Sequence, residues 1–227
     1  MTNRLTVLMA MVLAGPALAL PTAVFAGGYV GIGIGAAGTQ SSLKQLNLVP
    51  DRLSDVTDIG SDPGFGSTEA SVNATLGWMF TKNFGVEVGY TDFGEAVQNY
   101  ELPVACNTFG CQSREWTTQM STSGIQAYLV GSTPIGASLD AYLKVGAINW
   151  EAEYAGFERQ VGTTPGPPIP QRNESVNYDK SGTDLTAAMG LNLKTDSPIS
   201  VRVELSYYDI DTTDLIWVAQ LMGIYTF

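Results

Sequence analysis

Val30, Ile32, Ile34 and Ala36 alternate with Gly31, Gly33 and Gly35, a period of two that predicts a strand with one apolar face and one face almost without side chains. The same period returns along the chain. Ala70, Val72, Ala74, Leu76 and Trp78 alternate with Ser71, Asn73, Thr75 and Gly77, and Val86, Val88 and Tyr90 alternate with Glu87 and Gly89. Residues 139–145, 185–193 and 199–205 repeat the pattern, and a last strand is predicted over 215–227. A strand is also predicted over 118–130 with its parity open: Ile125, Ala127 and Leu129 indicate one face, while Met120 and Tyr128 lie on the other. Eight strands with almost no helical periodicity predict an all-β chain.

The connections carry the topology. Stretches 38–67, 94–115 and 155–180 are long and polar, whereas 81–83, 132–137 and 194–198 are short, and the two lengths alternate. Only 209–214 is short where a long connection is due. Alternating lengths mean that every second turn sits in a different environment, as in an outer-membrane barrel with short periplasmic turns and long external loops. The predicted fold is therefore an eight-stranded antiparallel up-and-down transmembrane β-barrel, its termini on the short-turn side.

Alternation alone does not say which face is inside. The less apolar set holds Glu87, Asp140, Lys144, Asp184, Arg202 and Glu204 together with the glycine run of the first strand. Glycines suit the crowded lumen of eight strands, so this set is assigned to the interior and the apolar set to lipid. Strand eight departs from the rule, because Ile216, Val218, Met222 and Ile224 occupy its lumen face. Aromatic residues then gather at strand ends: Trp78, Phe80, Phe84, Tyr225 and Phe227 at the short-turn end, and Tyr90, Trp116, Trp150, Tyr207 and Trp217 toward the long connections. Two such belts match two membrane interfaces.

Residues 1–26 change the picture of the chain's route. Arg4 precedes a nearly unbroken apolar run to Leu20, and Val24-Phe25-Ala26 places compact residues at a cut, which reads as a secretory signal peptide ahead of a barrel domain over 27–227. The formal net charge is −11, and loss of Arg4 with the leader makes it −12, so nucleic acid is not expected as a partner. In an exported chain Cys106 and Cys111 read as a disulfide, with free thiols the alternative. No metal or other cofactor is expected, since two thiolates with no histidine anywhere do not complete a zinc site.

Asn83-Phe84-Gly85-Val86-Glu87-Val88-Gly89-Tyr90-Thr91-Asp92-Phe93-Gly94 resembles the second hairpin of the OmpA-like transmembrane barrel family, and Gly28-Tyr29-Val30-Gly31 and Tyr225-Thr226-Phe227 resemble its first and last strand ends. The resemblance implies outer-membrane lipids around the barrel and a terminal aromatic, Phe227, read by the barrel-assembly machinery. The chain stops there, without the peptidoglycan-binding domain of full-length members, so cell-wall tethering is not implied.

Three functions compete. The first is a non-enzymatic barrel whose long connections engage a host or cell-surface ligand; the proline-rich 163–170 reads as a rigid spacer before it reads as a binding segment. Enzyme activity is not expected, because a chain without histidine lacks the usual general base. The remaining alternative is a narrow gated channel for small solutes or ions. Parity puts Glu87, Lys144, Arg202 and Glu204 together on the inner face, where opposite charges are expected to pair as a structural plug.

Overall fold

The computed structural model describes residues 27–41, 65–107, 110–161, 175–210 and 215–227. The predicted leader 1–26 and the proline-rich 163–170 lie outside these residues. Among the described residues there are eight strands: β1 (Gly27–Ser41), β2 (Phe65–Met79), β3 (Phe84–Asn107), β4 (Gly110–Pro134), β5 (Leu139–Val161), β6 (Ser175–Lys194), β7 (Ile199–Tyr208) and β8 (Leu215–Thr226). Each pairs antiparallel with its neighbours in sequence, and β8 returns to β1 to close the barrel.

Alternation decides the two faces. Ile32 is 74% exposed and Leu185 71%, while Lys144 on the other face is 1% exposed, so the apolar set points outward and the charged set inward. On β5 the outward apolar row runs over 139–147 and on β8 over 217–225, close to the roughly 9 to 11 residues a tilted strand needs to cross hydrocarbon. Asp92 on β3, Asn149 on β5, Thr183 on β6 and Asp209 just past β7 lie at the outer ends of the apolar rows and mark the outer limit of the band. At the opposite end, tight turns close on themselves. Phe80 N–H donates to Phe84 O at 2.9 Å, and Thr81 Oγ1 accepts from the N–H of Phe84 at 3.0 Å.

β4, whose parity the sequence leaves open, points Met120, Gln126, Tyr128 and Val130 inward and Ile125 and Leu129 outward. β8 also becomes intelligible. Its buried Ile224 and Met222 stand opposite Gly31 and Gly33 of β1. A Cβ on those glycines would lie 2.4 Å from Ile224 Cδ1 and 2.6 Å from Met222 Cγ. Bulky apolar groups on one strand thus fill the space that the neighbouring strand leaves empty, the large-against-small fit of a narrow barrel.

Of the connections predicted to be long, 94–115 is largely strand and 155–180 is strand at both flanks. β3 continues to Asn107, β4 starts at Gly110, β5 reaches Val161 and β6 starts at Ser175, so most of 94–115 and the flanks of 155–180 are paired. Past the hydrocarbon both faces carry polar residues, such as Thr117, Thr118, Gln119 and Ser121, and the apolar period that reveals a strand fades. A bulge adds to the concealment. Between Asp92↔Ser123 and Glu95↔Ser121 β3 holds one extra residue, and Gly94 takes φ 83° with its N–H donating to Asp92 Oδ1 at 2.9 Å. That left-handed glycine flips the parity, so Glu87, Thr91 and Phe93 point inward before it and Ala96 after it.

The predicted aromatic belts need one correction. Trp78, Phe80, Phe84, Tyr225 and Phe227 are exposed at the short-turn rim, and Tyr90, Tyr207 and Trp217 face outward on the far side. Trp150 does not join them. It sits at an inward position of β5, is 3% exposed, and donates its indole N–H to Asp184 Oδ2 at 2.5 Å. Its ring covers Gly182, where a Cβ would meet Trp150 Cζ2 at 2.8 Å. The side chain of Trp116 lies outside the described ones.

Candidate functional site

The lumen is the candidate site, and it is layered. Along β3, β5 and β7, which run outward from the short turns, the charged residues come early: Glu87 on β3, Lys144 on β5, Arg202 and Glu204 on β7. The structure brings all four together. Lys144 Nζ lies 2.7 Å from Glu87 Oε1 and 2.5 Å from Glu204 Oε2, and Arg202 Nη1 lies 2.7 Å from Glu87 Oε2. Two carboxylates thus face two cations in a chain that runs Arg202, Glu87, Lys144, Glu204, and the set is neutral as a whole.

Uncharged groups complete the carboxylates' coordination. Tyr29 donates its hydroxyl to Glu87 Oε2 at 2.6 Å, and Tyr142 donates to Glu204 Oε2 at 2.8 Å. Ser206 Oγ and Gln220 Nε2 both donate to Glu204 Oε1, at 3.0 and 2.9 Å. The cations also lie over aromatic faces: Arg202 is 4.7 Å from the Tyr142 ring centre and Lys144 is 4.8 Å from that of Tyr128. A buried charge is tolerated where its partners are this complete, although burying the pairs gives little net stability over an apolar core.

Next outward is a layer of amides and hydroxyls. Gln126 donates to Thr91 Oγ1 at 3.0 Å and accepts from Tyr208 at 3.1 Å, while Tyr128 and Thr186 share a hydrogen bond of 2.9 Å. Beyond it lies an apolar layer built by Phe93, Met120, Ile148, Trp150, Ile216 and Val218 with their neighbours. Phe93 meets Tyr208 edge to face, with ring centres 4.9 Å apart. The glycine-and-charge interior read from the sequence therefore describes the short-turn half, and the outer half is mainly hydrophobic, with the buried hydroxyls of Thr39, Thr118 and Thr122 and the Asp184 carboxylate among its apolar side chains.

Sequence reasoning missed Tyr29, Tyr142, Gln126, Tyr128 and Gln220. Tyr142 was within reach, since it lies two residues before Lys144 on the same face; Tyr128 and Gln126 sit on the strand of open parity, and Gln220 on the strand that broke the rule. The other two acids of the predicted inner set, Asp140 and Asp184, stand apart. Asp184 holds Trp150, and Asp140 meets Lys194 at 2.7 Å near the short turns. Among the described residues no group of three or more acidic, cysteine or histidine side chains is placed to hold a metal ion.

Cys106 and Cys111 are directly opposite one another in the β3–β4 register, at the tip of that hairpin. Phe227 is exposed, and its N–H donates to Gly28 O at 3.0 Å, fastening the chain end to β1.

Comparison with known proteins gives the barrel its context. None of the curated proteins matches the chain. Among solved structures, Ail, the attachment invasion locus protein of Yersinia pestis, is 15% identical with a TM-score of 0.45, covering 88% of this chain and 99% of that one. Neisserial surface protein A is 10% identical with a TM-score of 0.43, covering 88% and 95%. The N-terminal β-barrel domain of Pseudomonas aeruginosa OprF is 10% identical with a TM-score of 0.40, covering 87% and 97%. The sequence itself matches the outer membrane protein beta-barrel domain over residues 5–222, nearly its whole length. With a closed eight-stranded barrel and an outward apolar band, the chain belongs to the outer membrane protein beta-barrel domain family and resides in the bacterial outer membrane.

Proposed function

We propose that this protein is a sealed, non-enzymatic barrel that carries a rigid β-sheet out of the membrane to engage other surfaces. The observation behind this reading is the continuation of β3, β4, β5 and β6 as paired strands past the apolar band, from Glu95↔Ser121 to Cys106↔Cys111 and from Glu151↔Ser181 to Phe157↔Ser175. Ordering that much backbone outside the lipid opposes folding by about 1 to 2 kcal/mol per residue, and a barrel that only had to span would manage with short turns. A host or cell-surface ligand would meet this sheet first.

The channel reading has less support. The lumen charges are mutually neutralised, and the apolar layer from Phe93 to Val218 lies across the route to the outside. Nor does the lumen offer an enzyme its usual parts, since each carboxylate of the charged layer is held by a cation and the chain has no histidine.

Three further assignments belong to this reading. The leader 1–26 exports the chain, and Phe227 is its assembly signal. Cys106 and Cys111 close the hairpin tip as a disulfide, because directly opposed residues of an antiparallel pair have Cα atoms about 4.5 to 5.5 Å apart, inside the range a disulfide spans. Unreduced mass spectrometry of the exported chain should show two hydrogens fewer than the reduced chain; two freely alkylated thiols would refute the bond.

The surface role is tested by trimming. Cells displaying the full chain are compared with cells displaying a variant in which 95–119 is replaced by a tight turn, for settling onto one another and onto animal-cell monolayers. The trimmed barrel should still assemble, shown by heat-modifiable gel mobility, and should lose the adhesion that the full chain confers. Equal adhesion by both, or none by the full chain, would contradict the reading.

A further inference from the structure

The extension that the surface reading rests on has two long edges that no other described strand covers, and they differ. β3 pairs with β2 from Gly85↔Met79 to Asp92↔Val72, and beyond that its ladder, among the described residues, is with β4 alone. That edge is blunted. It carries the Gly94 bulge, a second register shift between Leu102 and Ala105, and Pro103, which has no N–H to offer.

β6 is built differently. Its ladder to β7 ends at Thr186↔Tyr208, followed by one more bond from Asp209 N–H to Leu185 O at 3.1 Å. From Ser175 to Thr183 it pairs with β5 and with no other described residue, in unbroken register, without a bulge or a proline. In an antiparallel strand each residue directs its N–H and C=O to the same side, alternating along the chain. Leu185 O faces β7, so Thr183, Ser181, Asp179, Asn177 and Ser175 direct their N–H and C=O groups toward the open edge. These are the groups to which an added strand bonds.

The charge beside this edge selects the strand. Asp179 on β6 and Glu151 and Glu153 on β5 all face outward and are exposed, and Glu153 stands directly opposite Asp179. Opposite charges across adjacent strands are favourable and like charges are not. We propose that the outer half of β6, Ser175–Thr183, is a docking edge for an extended, basic segment of another protein, which adds to the sheet as a strand and sets its cations beside Asp179. A second copy of this chain, itself strongly anionic, is the less suitable occupant.

The probe is a short synthetic peptide of alternating lysine and threonine, titrated against the full mature chain in lipid nanodiscs. Its comparator carries N-methyl groups on alternate backbone amides, which block strand addition while keeping the charge. On the protein side, Ser181→Pro and Asn177→Pro remove N–H groups that face the open edge and leave the β5 ladder intact. Either change should weaken binding by about tenfold or more, about 1.4 kcal/mol. Because the N-methylated peptide leaves the protein untouched, it decides the matter even if a proline variant assembles poorly. Equal binding of both peptides, or undiminished binding to Ser181→Pro, overturns the proposal in favour of charge attraction alone. Self-association abolished by Ser181→Pro, with no peptide bound, overturns it in favour of a second copy. Adhesion lost on trimming 95–119 but kept by Ser181→Pro would remove the edge and leave the surface reading standing.

Discussion

Replacing Glu87 by Gln is expected to destabilise the barrel by about 3 to 5 kcal/mol, the range for removing one partner of a buried ion pair. Three groups converge on that carboxylate, Lys144, Arg202 and Tyr29, and the consequences for the two cations are unequal. Lys144 keeps Glu204 at 2.5 Å, whereas Arg202 has, among the described residues, Glu87 as its one ion-pair partner and no hydrogen-bond acceptor for its Nε. The uncompensated charge is therefore that of Arg202. Adding Arg202→Met to Glu87→Gln should recover a large part of the loss, and the urea midpoints of the two single variants and the double variant measure that coupling. Strict additivity would contradict the ion-pair chain.

Valine at Gly35 and valine at Gly223 should behave oppositely, although both are glycines of the β1–β8 seam. A Cβ at Gly35 would stand 2.3 Å from Ala219 O and 2.7 Å from Gln220 Cβ, and backbone does not yield as a flexible side chain does. Gly223 has nothing within 4 Å of its added Cβ, and its place in the outward row of β8 turns it to lipid. Gly35→Val should cost about 3 kcal/mol or more and reduce the assembled fraction, while Gly223→Val should stay within about 0.5 kcal/mol of the parent. Heat-modifiable mobility after refolding reads both. Comparable losses at the two sites would mean that the faces are wrongly assigned.

The barrel was legible because its strands are greasy on one side wherever they touch lipid, and period two shows plainly under that condition. Legibility ended where the lipid ends. The outer parts of β3, β4, β5 and β6 keep the strand geometry but mix Thr, Ser, Gln and Glu on both faces, and the bulge at Gly94 shifts the phase within β3. Trp150 was misplaced because tryptophan near a strand end suits a girdle as well as a core, and only the inward parity of Lys144 and Ile148 on the same strand separates the two.

In the lumen, parity brought Glu87, Lys144, Arg202 and Glu204 to one face but did not order them. Which charges touch depends on their heights along the barrel axis, set by the stagger of the strands, and no single strand's sequence carries that. The order has a practical consequence. Exchanging Lys144 and Glu87 would set a lysine beside Arg202 and a glutamate beside Glu204, so the exchange is not expected to restore stability. The strand-eight anomaly has the same origin: Met222 and Ile224 look wrong alone and fit once Gly33 and Gly31 are known to be opposite.

On the proposed reading the lumen is sealed and the protein acts through what it carries outside the membrane. Single-channel recording of the purified mature chain in planar bilayers tests it most directly. If the apolar layer of Phe93, Met120, Ile148, Trp150, Ile216 and Val218 closes the outer half, no steady unitary current is expected in the parent or in Glu87→Gln, whatever the charged layer does. A reproducible unitary current in the parent, or one that Glu87→Gln switches on or off, would contradict it and make the ion-pair chain a gate.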